Sequence, residues 1–224
     1  ATHLVQAALQ EVLGKHVAQK GSLVNEDLLR FDFSHFQKVT DEEIVKIEQI
    51  VNAKIAENIP LLEERNVPIA QAKEKGAMAL FGEKYGDFVR VITFDKNYSV
   101  ELCGGTHVPA TGEIGLCKII TETSVATGVR RIEAITSQQA YALLSEQEAL
   151  IAELNALLKA PKDLAKAVAA LIEQSNQLQK SIAQYQAKEI GGLKAELVKQ
   201  INTKSGIPAL IQQVSVPSAD SLKN

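Results

Sequence analysis

The chain has 224 residues, 46% of them hydrophobic and 23% charged, with a formal charge of −3. That length suffices for one sizeable domain with an appendage or for two small ones, and the charge excludes nucleic-acid binding by bulk electrostatics while leaving local basic contacts open. Two cysteines argue against a disulfide scaffold and the absence of tryptophan against a large aromatic-lined pocket, while no apolar run is long enough to cross a bilayer, so no membrane partner is expected and a cytoplasmic setting fits best.

The first segment, Thr2 to Lys15, sets His3, Ala7, Leu9 and Leu13 at helical spacing and closes near Gly14, which predicts a helix. Two β-like runs follow, His16–Val24 and Leu28–His35, joined through Asn25-Glu26-Asp27 as a hairpin. Thr40-Asp41-Glu42-Glu43 spells a capping box, in which the threonine hydroxyl bonds the amide three residues on and Glu43 reaches back. It opens a helix to about Asn58, with Ile44, Ile47, Val51 and Ile55 on one stripe. A strand-like stretch, Ile59–Val67, passes through Pro68 into a short helix that Gly76 stops. Gly82-Glu83-Lys84-Tyr85-Gly86 reads as a turn before the strands Val89–Phe94 and Ser99–Leu102. Beyond a Cys103-Gly104-Gly105-Thr106-His107 loop, Leu116–Thr121 and Val129–Thr136 carry the β-branched enrichment of strands.

From Ser137 the pattern turns helical. Leu143, Leu144, Leu150, Leu154, Leu157 and Leu158 recur at helical spacing until Pro161 interrupts them. Leu164, Val168, Leu171, Ile172, Leu178, Ile182 and Tyr185 continue the stripe on a second helix, which Gly191-Gly192 kinks or ends. The last stretch, Ile207–Val216 with Pro217-Ser218, reads as one strand and a helix cap, too little to build a core. The expected fold class is therefore α+β. A mixed α/β part with a largely antiparallel sheet fills 1–138, an antiparallel, coiled-coil-like helical hairpin fills 139–205, and 206–224 begins an incomplete further domain.

The residues with the sharpest chemistry are His3 and Cys103-x-x-x-His107. Taken singly, a histidine at a helix start is an ordinary polar or capping residue, and a cysteine before a histidine is as readily a buried thiol. Together they are imidazole and thiolate, the ligands zinc prefers; structural zinc sites take four and catalytic sites three plus water. A Cys/His nucleophilic dyad is the rival reading, but no group to orient the histidine is identifiable, and a thiolate committed to a metal is a poor nucleophile. Gly104-Gly105 lets the loop turn tightly, or lets a substrate approach the backbone. Cys117 reads as a small core residue, and His16 and His35 as ordinary polar positions, with His35 lining a groove as the alternative.

Five stretches in order resemble the editing region of the alanyl-tRNA synthetase family. They are Ala1-Thr2-His3-Leu4, Gln19-x-Gly21-Ser22, Leu29-Arg30-Phe31-Asp32-Phe33-Ser34-His35, the run from Gly76 to Gly86, and Cys103-Gly104-Gly105-Thr106-His107. The likeness covers about 1–138, with the helical remainder similar to the start of that family's C-terminal region. It implies zinc held by an H-x-x-x-H pair and a C-x-x-x-H pair, so that His3, Cys103 and His107 are metal ligands and the first histidine of the helical pair is expected before Ala1.

The implied activity is hydrolysis of serine or glycine wrongly esterified to tRNA(Ala). Thr2, Gln19 and Ser22 are the implied catalytic-site residues that read the serine hydroxyl, since a site built to bond a hydroxyl disfavours an analogue that leaves its polar groups unpaired. Arg130 and Arg131 match the family's V-R-R-I-E-A; with Lys84 and Arg90 they are candidate contacts to tRNA, each otherwise a solvated or paired charge. Strand alternation puts Arg130 and Arg131 on opposite faces. ATP use is expected only in an aminoacylation domain outside this chain, whose partners would be that domain, a C-terminal domain, tRNA(Ala) and a second copy as a homodimer. The alternatives are a trans-acting editing hydrolase and a non-catalytic tRNA-binding or dimerising module.

Overall fold

A computed structural model describes residues 1–79, 85–201 and positions 208, 210, 213 and 214. The run from Gly76 to Gly86 is therefore described only at its ends, and Lys84, like most of the strand and cap expected after Ile207, lies outside the described residues. The chain divides into two compact units, Ala1–Ala149 and Leu150–Asn224.

The first unit is α+β with antiparallel sheets. Helix α1 (Thr2–Leu13) leads into β1 (Gln19–Val24) and β2 (Leu29–Ser34), then α2 (Asp41–Ala56), β3 (Leu62–Pro68), α3 (Ile69–Glu74), β4 (Phe88–Phe94) and β5 (Ser99–Leu102). A 3-10 turn (Thr111–Ile114) precedes β6 (Cys117–Ala126), β7 (Val129–Thr136) and helix α4 (Ser137–Leu157). One sheet has the order β1-β2-β7-β6 and the other β3-β4-β5.

Local chemistry accounts for most of these boundaries. Thr40 Oγ1 accepts from the Glu43 amide and Glu43 returns a bond to the Thr40 amide, so the expected capping box opens α2. Strand β2 alternates buried and half-buried positions, with Phe31 and Phe33 sealed inside. Burial of each such side chain contributes about 1.5–3 kcal/mol. The buried face of α1 is carried by Leu4 and Ala8 with Val5 and Leu9, whose i, i+4 pairs meet the sheet and α2, so of the expected stripe Leu9 is buried while His3, Ala7 and Leu13 are half-buried.

Several expected boundaries move, the strand expected from Ile59 beginning only at Leu62. Residues 16–18 are not strand: the Val17 amide closes a turn onto the Gly14 carbonyl, and β1 begins at Gln19. Strand β6 runs five residues past the expected Thr121, because its polar half pairs with β7 across a tight connection at Gly128. In the second unit, the end of α4 and a long α5 (Leu164–Lys199) flank the connection that holds Pro161, as the leucine pattern predicts. Asp163 caps α5 through the Lys166 amide, and the helix continues through Gly191-Gly192 instead of ending there. No residue of α5 is buried.

Candidate metal centre and the cleft around it

His3 is delivered by the first turn of α1, and three contacts fix that turn. Leu4 and Val5 are buried beneath it, and the Tyr98 hydroxyl donates to the Leu4 carbonyl at 2.8 Å. Cys103 and His107 arrive on the loop after β5. Arg90 on β4 spans that loop: Nη1 donates to the carbonyls of Cys103 (3.3 Å) and Gly105, while Nε is paired with Glu63 at 2.7 Å. The Cys103 amide also donates to the Arg90 carbonyl.

The nitrogen and sulfur donors of His3, Cys103 and His107 lie within 4.8 Å of one another. His3 Nε2 faces His107 Nε2 at 2.9 Å, and the two rings stack at 5.0 Å. Behind the cluster, His3 Nδ1 meets the carboxylate of Glu101 at 2.5 Å. His107 Nδ1 is buried with no hydrogen-bond partner.

The electrostatics ready two of the three donors for a metal, while His3 must give up a proton to bind one. Burial alone would lower the basicity of His3, but its hydrogen bonds to Cys103 and Glu101 outweigh that and raise its pKa to about 9. The same His3 contact holds the Cys103 thiol below its ordinary range, toward the thiolate that metals bind. Burial, helped by the positive charge of His3, pushes His107 down to about 4, so its imidazole is neutral near pH 7. Two imidazoles and a thiolate converging in this way suit a borderline-soft divalent ion such as zinc.

A cleft of about 550 Å³ opens beside the cluster. Thr2, His3, Gln19, Ser22, Cys103 and His107 all line it. Gln19 and Ser22 reach it from edge strand β1 through an irregularity: pairing with β2 shifts register between Gln19 and Gly21. Lys20 bulges out, so Gln19 stands opposite Phe33 and Ser22 opposite Phe31, both on the inward face. Thr106, Glu113 and Thr136 also line the cleft. These went unassigned because a lone threonine or a glutamate in a loop carries no periodic signal.

The remaining candidates fall elsewhere. Arg130 forms two bonds to Glu122, at 2.5 Å each, and Arg131 two to Asp32, at 2.6 and 2.8 Å. Both guanidiniums are thus engaged with carboxylates, and Arg90 braces the metal loop. His35 does not line the cleft; it stacks on His16 with nitrogens 2.9 Å apart. Cys117 is 1% exposed in the core, where burial pushes its thiol up to about 11. No described helix is long and apolar enough to cross a membrane.

Comparison with known proteins adds an independent line. Residues 89–133 match the family described as "Threonyl and Alanyl tRNA synthetase second additional domain". Over all of its length the chain is 54% identical to the alanine–tRNA ligases of Cytophaga hutchinsonii and Parabacteroides distasonis, covering 25% of each. It is 48% identical to that of Pseudoalteromonas translucida, of which it covers 26%. The chain thus spans about a quarter of the length of the relatives it matches.

Proposed function

We propose that this chain, which belongs to the alanine–tRNA ligase family, carries a zinc-dependent editing site that hydrolyses serine or glycine misattached to tRNA(Ala). The observation that carries the reading is the convergence of His3, Cys103 and His107 beside a cleft that Thr2, Gln19 and Ser22 also line. Residues 1–138 act as the editing domain and 139–205 as a helical extension; aminoacylation with ATP belongs to the remainder of the ligase. The setting is the cytoplasm, and the macromolecular partner is tRNA(Ala).

His3, Cys103 and His107 hold the ion. When bound, zinc supplies a Lewis acid that can polarise the ester carbonyl or lower the pKa of water. The chain's own groups supply selection. Thr2 and Ser22 offer hydroxyls and Gln19 an amide, so a serine side chain in the cleft satisfies donors and acceptors that alanine would leave unpaired. Such unpaired polar groups cost about 1–3 kcal/mol each. Hydrolysis breaks the ester's acyl–oxygen bond: water adds to the carbonyl, a proton passes to the departing ribose oxygen, and free amino acid and tRNA leave.

The test is deacylation of Ser-, Gly- and Ala-tRNA(Ala) by the full-length protein with metal bound. The hydroxyl readout predicts release of serine with alanine spared, and loss of that release in Cys103→Ala; glycine, which also lacks the hydroxyl, is admitted by its small size alone. Esters as stable as in buffer would reject the reading.

A second reading concerns the helices. Leu150, Leu154, Leu171, Leu178 and Ile182 stay between 39% and 57% exposed, which favours a homodimer seam or a surface for another part of the ligase. Sedimentation of the full-length protein tests it: a concentration-independent monomer rules out the dimer.

A further inference from the structure

We propose that Glu101 is a positioning residue for the metal centre, holding the His3 ring by Nδ1 so that Nε2 presents its lone pair to the ion. The inference rests on reading His3, Cys103 and His107 as zinc ligands, and assigns a role to a residue outside that set.

Glu101 is an acidic side chain 3% exposed on strand β5. A carboxylate so deeply placed must find hydrogen-bond donors. It has two: His3 at 2.5 Å and the Ser99 hydroxyl at 3.3 Å. Its backbone is fixed from both sides, paired with Ile92 on β4 and bridged to Met78. The acceptor therefore sits on a rigid mount, not on a mobile loop.

The geometry separates Glu101 from the ligands themselves. It does not line the cleft, and it is absent from the cluster whose donor atoms lie within 4.8 Å of one another. It stands behind His3, on the far nitrogen. The carboxylate oxygen accepts the Nδ1–H, so a ring that gives its other nitrogen to a metal keeps its single proton on Nδ1. Nε2 is then left as a bare lone pair, and it is Nε2 that points to His107 Nε2 and the centre of the cluster. In the other tautomer, Nε2 would point an N–H at the ion. Glu101 thus selects both the tautomer and the rotation of the ring, which is how a carboxylate behind a metal-bound histidine acts.

A purely structural reading competes with this one: the same contact ties α1 to β5 across 98 residues of sequence. Zinc affinity distinguishes the two. In the full-length protein, competition against a chromophoric chelator should show Glu101→Ala and Glu101→Met binding zinc about 10–100-fold more weakly. Glu101→Gln, which keeps one acceptor oxygen, should recover part of that loss. Cobalt(II) in place of zinc should show a shifted visible band in the Ala and Met variants. In a His3→Ala background, Glu101→Met should change affinity no further, because its only route to the ion is gone. Wild-type affinity and an unshifted band in Glu101→Met, with only the melting temperature lowered, would overturn the proposal. A wild-type protein that binds no zinc would instead overturn the metal reading beneath it.

Discussion

Gln19 and Ser22 face the same side of their sheet although three positions separate them, an odd spacing that regular alternation sends to opposite faces. The bulge at Lys20 corrects the parity. Gln19→Ala leaves that bulge in place and removes only the amide from the cleft. Serine release from Ser-tRNA(Ala) is expected to fall about tenfold or more, the rate equivalent of one lost hydrogen bond in the site. Circular dichroism should be unchanged. A Gln19→Ala variant with wild-type deacylation would show that Gln19 does not act from this position.

Arg90 braces the loop between Cys103 and His107, the proposed metal ligands, by donating to the carbonyls of Cys103 and Gly105. Arg90→Ala leaves Glu63 without this partner and the Cys103 carbonyl without its guanidinium donor. With the arginine side chain 23% exposed, the loss should cost about 1–3 kcal/mol of stability. Urea denaturation reads that change, and zinc affinity should fall with it. An unchanged midpoint and affinity would show that the loop holds its shape unaided.

The bidentate Asp32–Arg131 pair gives the fold an acid-sensitive element. The Arg131 hydrogen bonds hold the Asp32 carboxyl below its ordinary value, against the opposing effect of burial. A carboxyl with a lower pKa in the folded state favours folding above its unfolded value, near 3.9, and that contribution fades as the pH falls through the folded value. Stability should therefore decline below about pH 4, more steeply in wild type than in Asp32→Asn. Gly21 belongs to the same feature: a Cβ there would sit 3.3 Å from an Asp32 carboxylate oxygen, so Gly21→Ala should strain the pair.

The two cysteines should separate chemically. Cys103 is half-buried with its thiol lowered by His3, whereas Cys117 is buried and pushed up to about 11. In metal-depleted protein at neutral pH, iodoacetamide should label Cys103 and spare Cys117, as read by peptide mass. Added zinc should protect Cys103. Labelling of Cys117 first, or no protection by zinc, would contradict the assignment of the donor set.

Helix α5 carries Gly191 and Gly192 within its last three turns, where an added Cβ would meet nothing within 4 Å. Replacing both by alanine should stabilise the helix by about 1 kcal/mol each, through lower backbone entropy in the unfolded chain. Helicity by circular dichroism should hold to a higher temperature. A lower melting temperature would mean that the glycines serve close packing against another surface.

The sequence was most informative where structure is local. The Thr40 capping box, the β2 alternation and the stop at Gly76 each depend on residues within a few positions, so pattern alone located them. His3, Cys103 and His107 were equally legible as candidate donors, because thiol and imidazole announce their chemistry, and their donor atoms lie within 4.8 Å of one another. What escaped was relational. Glu101 behind His3, the Arg90 brace and the Lys20 bulge exist only once distant strands are in register, and none has a local signature. The polar stretch Glu122-Thr123-Ser124 falls beyond the expected strand, yet it is strand because β7 lies beside it and Arg130 satisfies Glu122. Gly191-Gly192 misleads in the opposite sense, since thirty-odd residues of good helix formers carry α5 past two poor ones.

The span between His3 and the Cys103 loop has a consequence for synthesis on the ribosome. A chain emerging from the exit tunnel displays the His3 imidazole long before the Cys103 sulfur and the His107 ring. On the proposed metal reading, capture of the cation must wait for the second stretch, so metal loading would report a finished domain, and scarcity of the cation during translation would leave the proposed site incomplete.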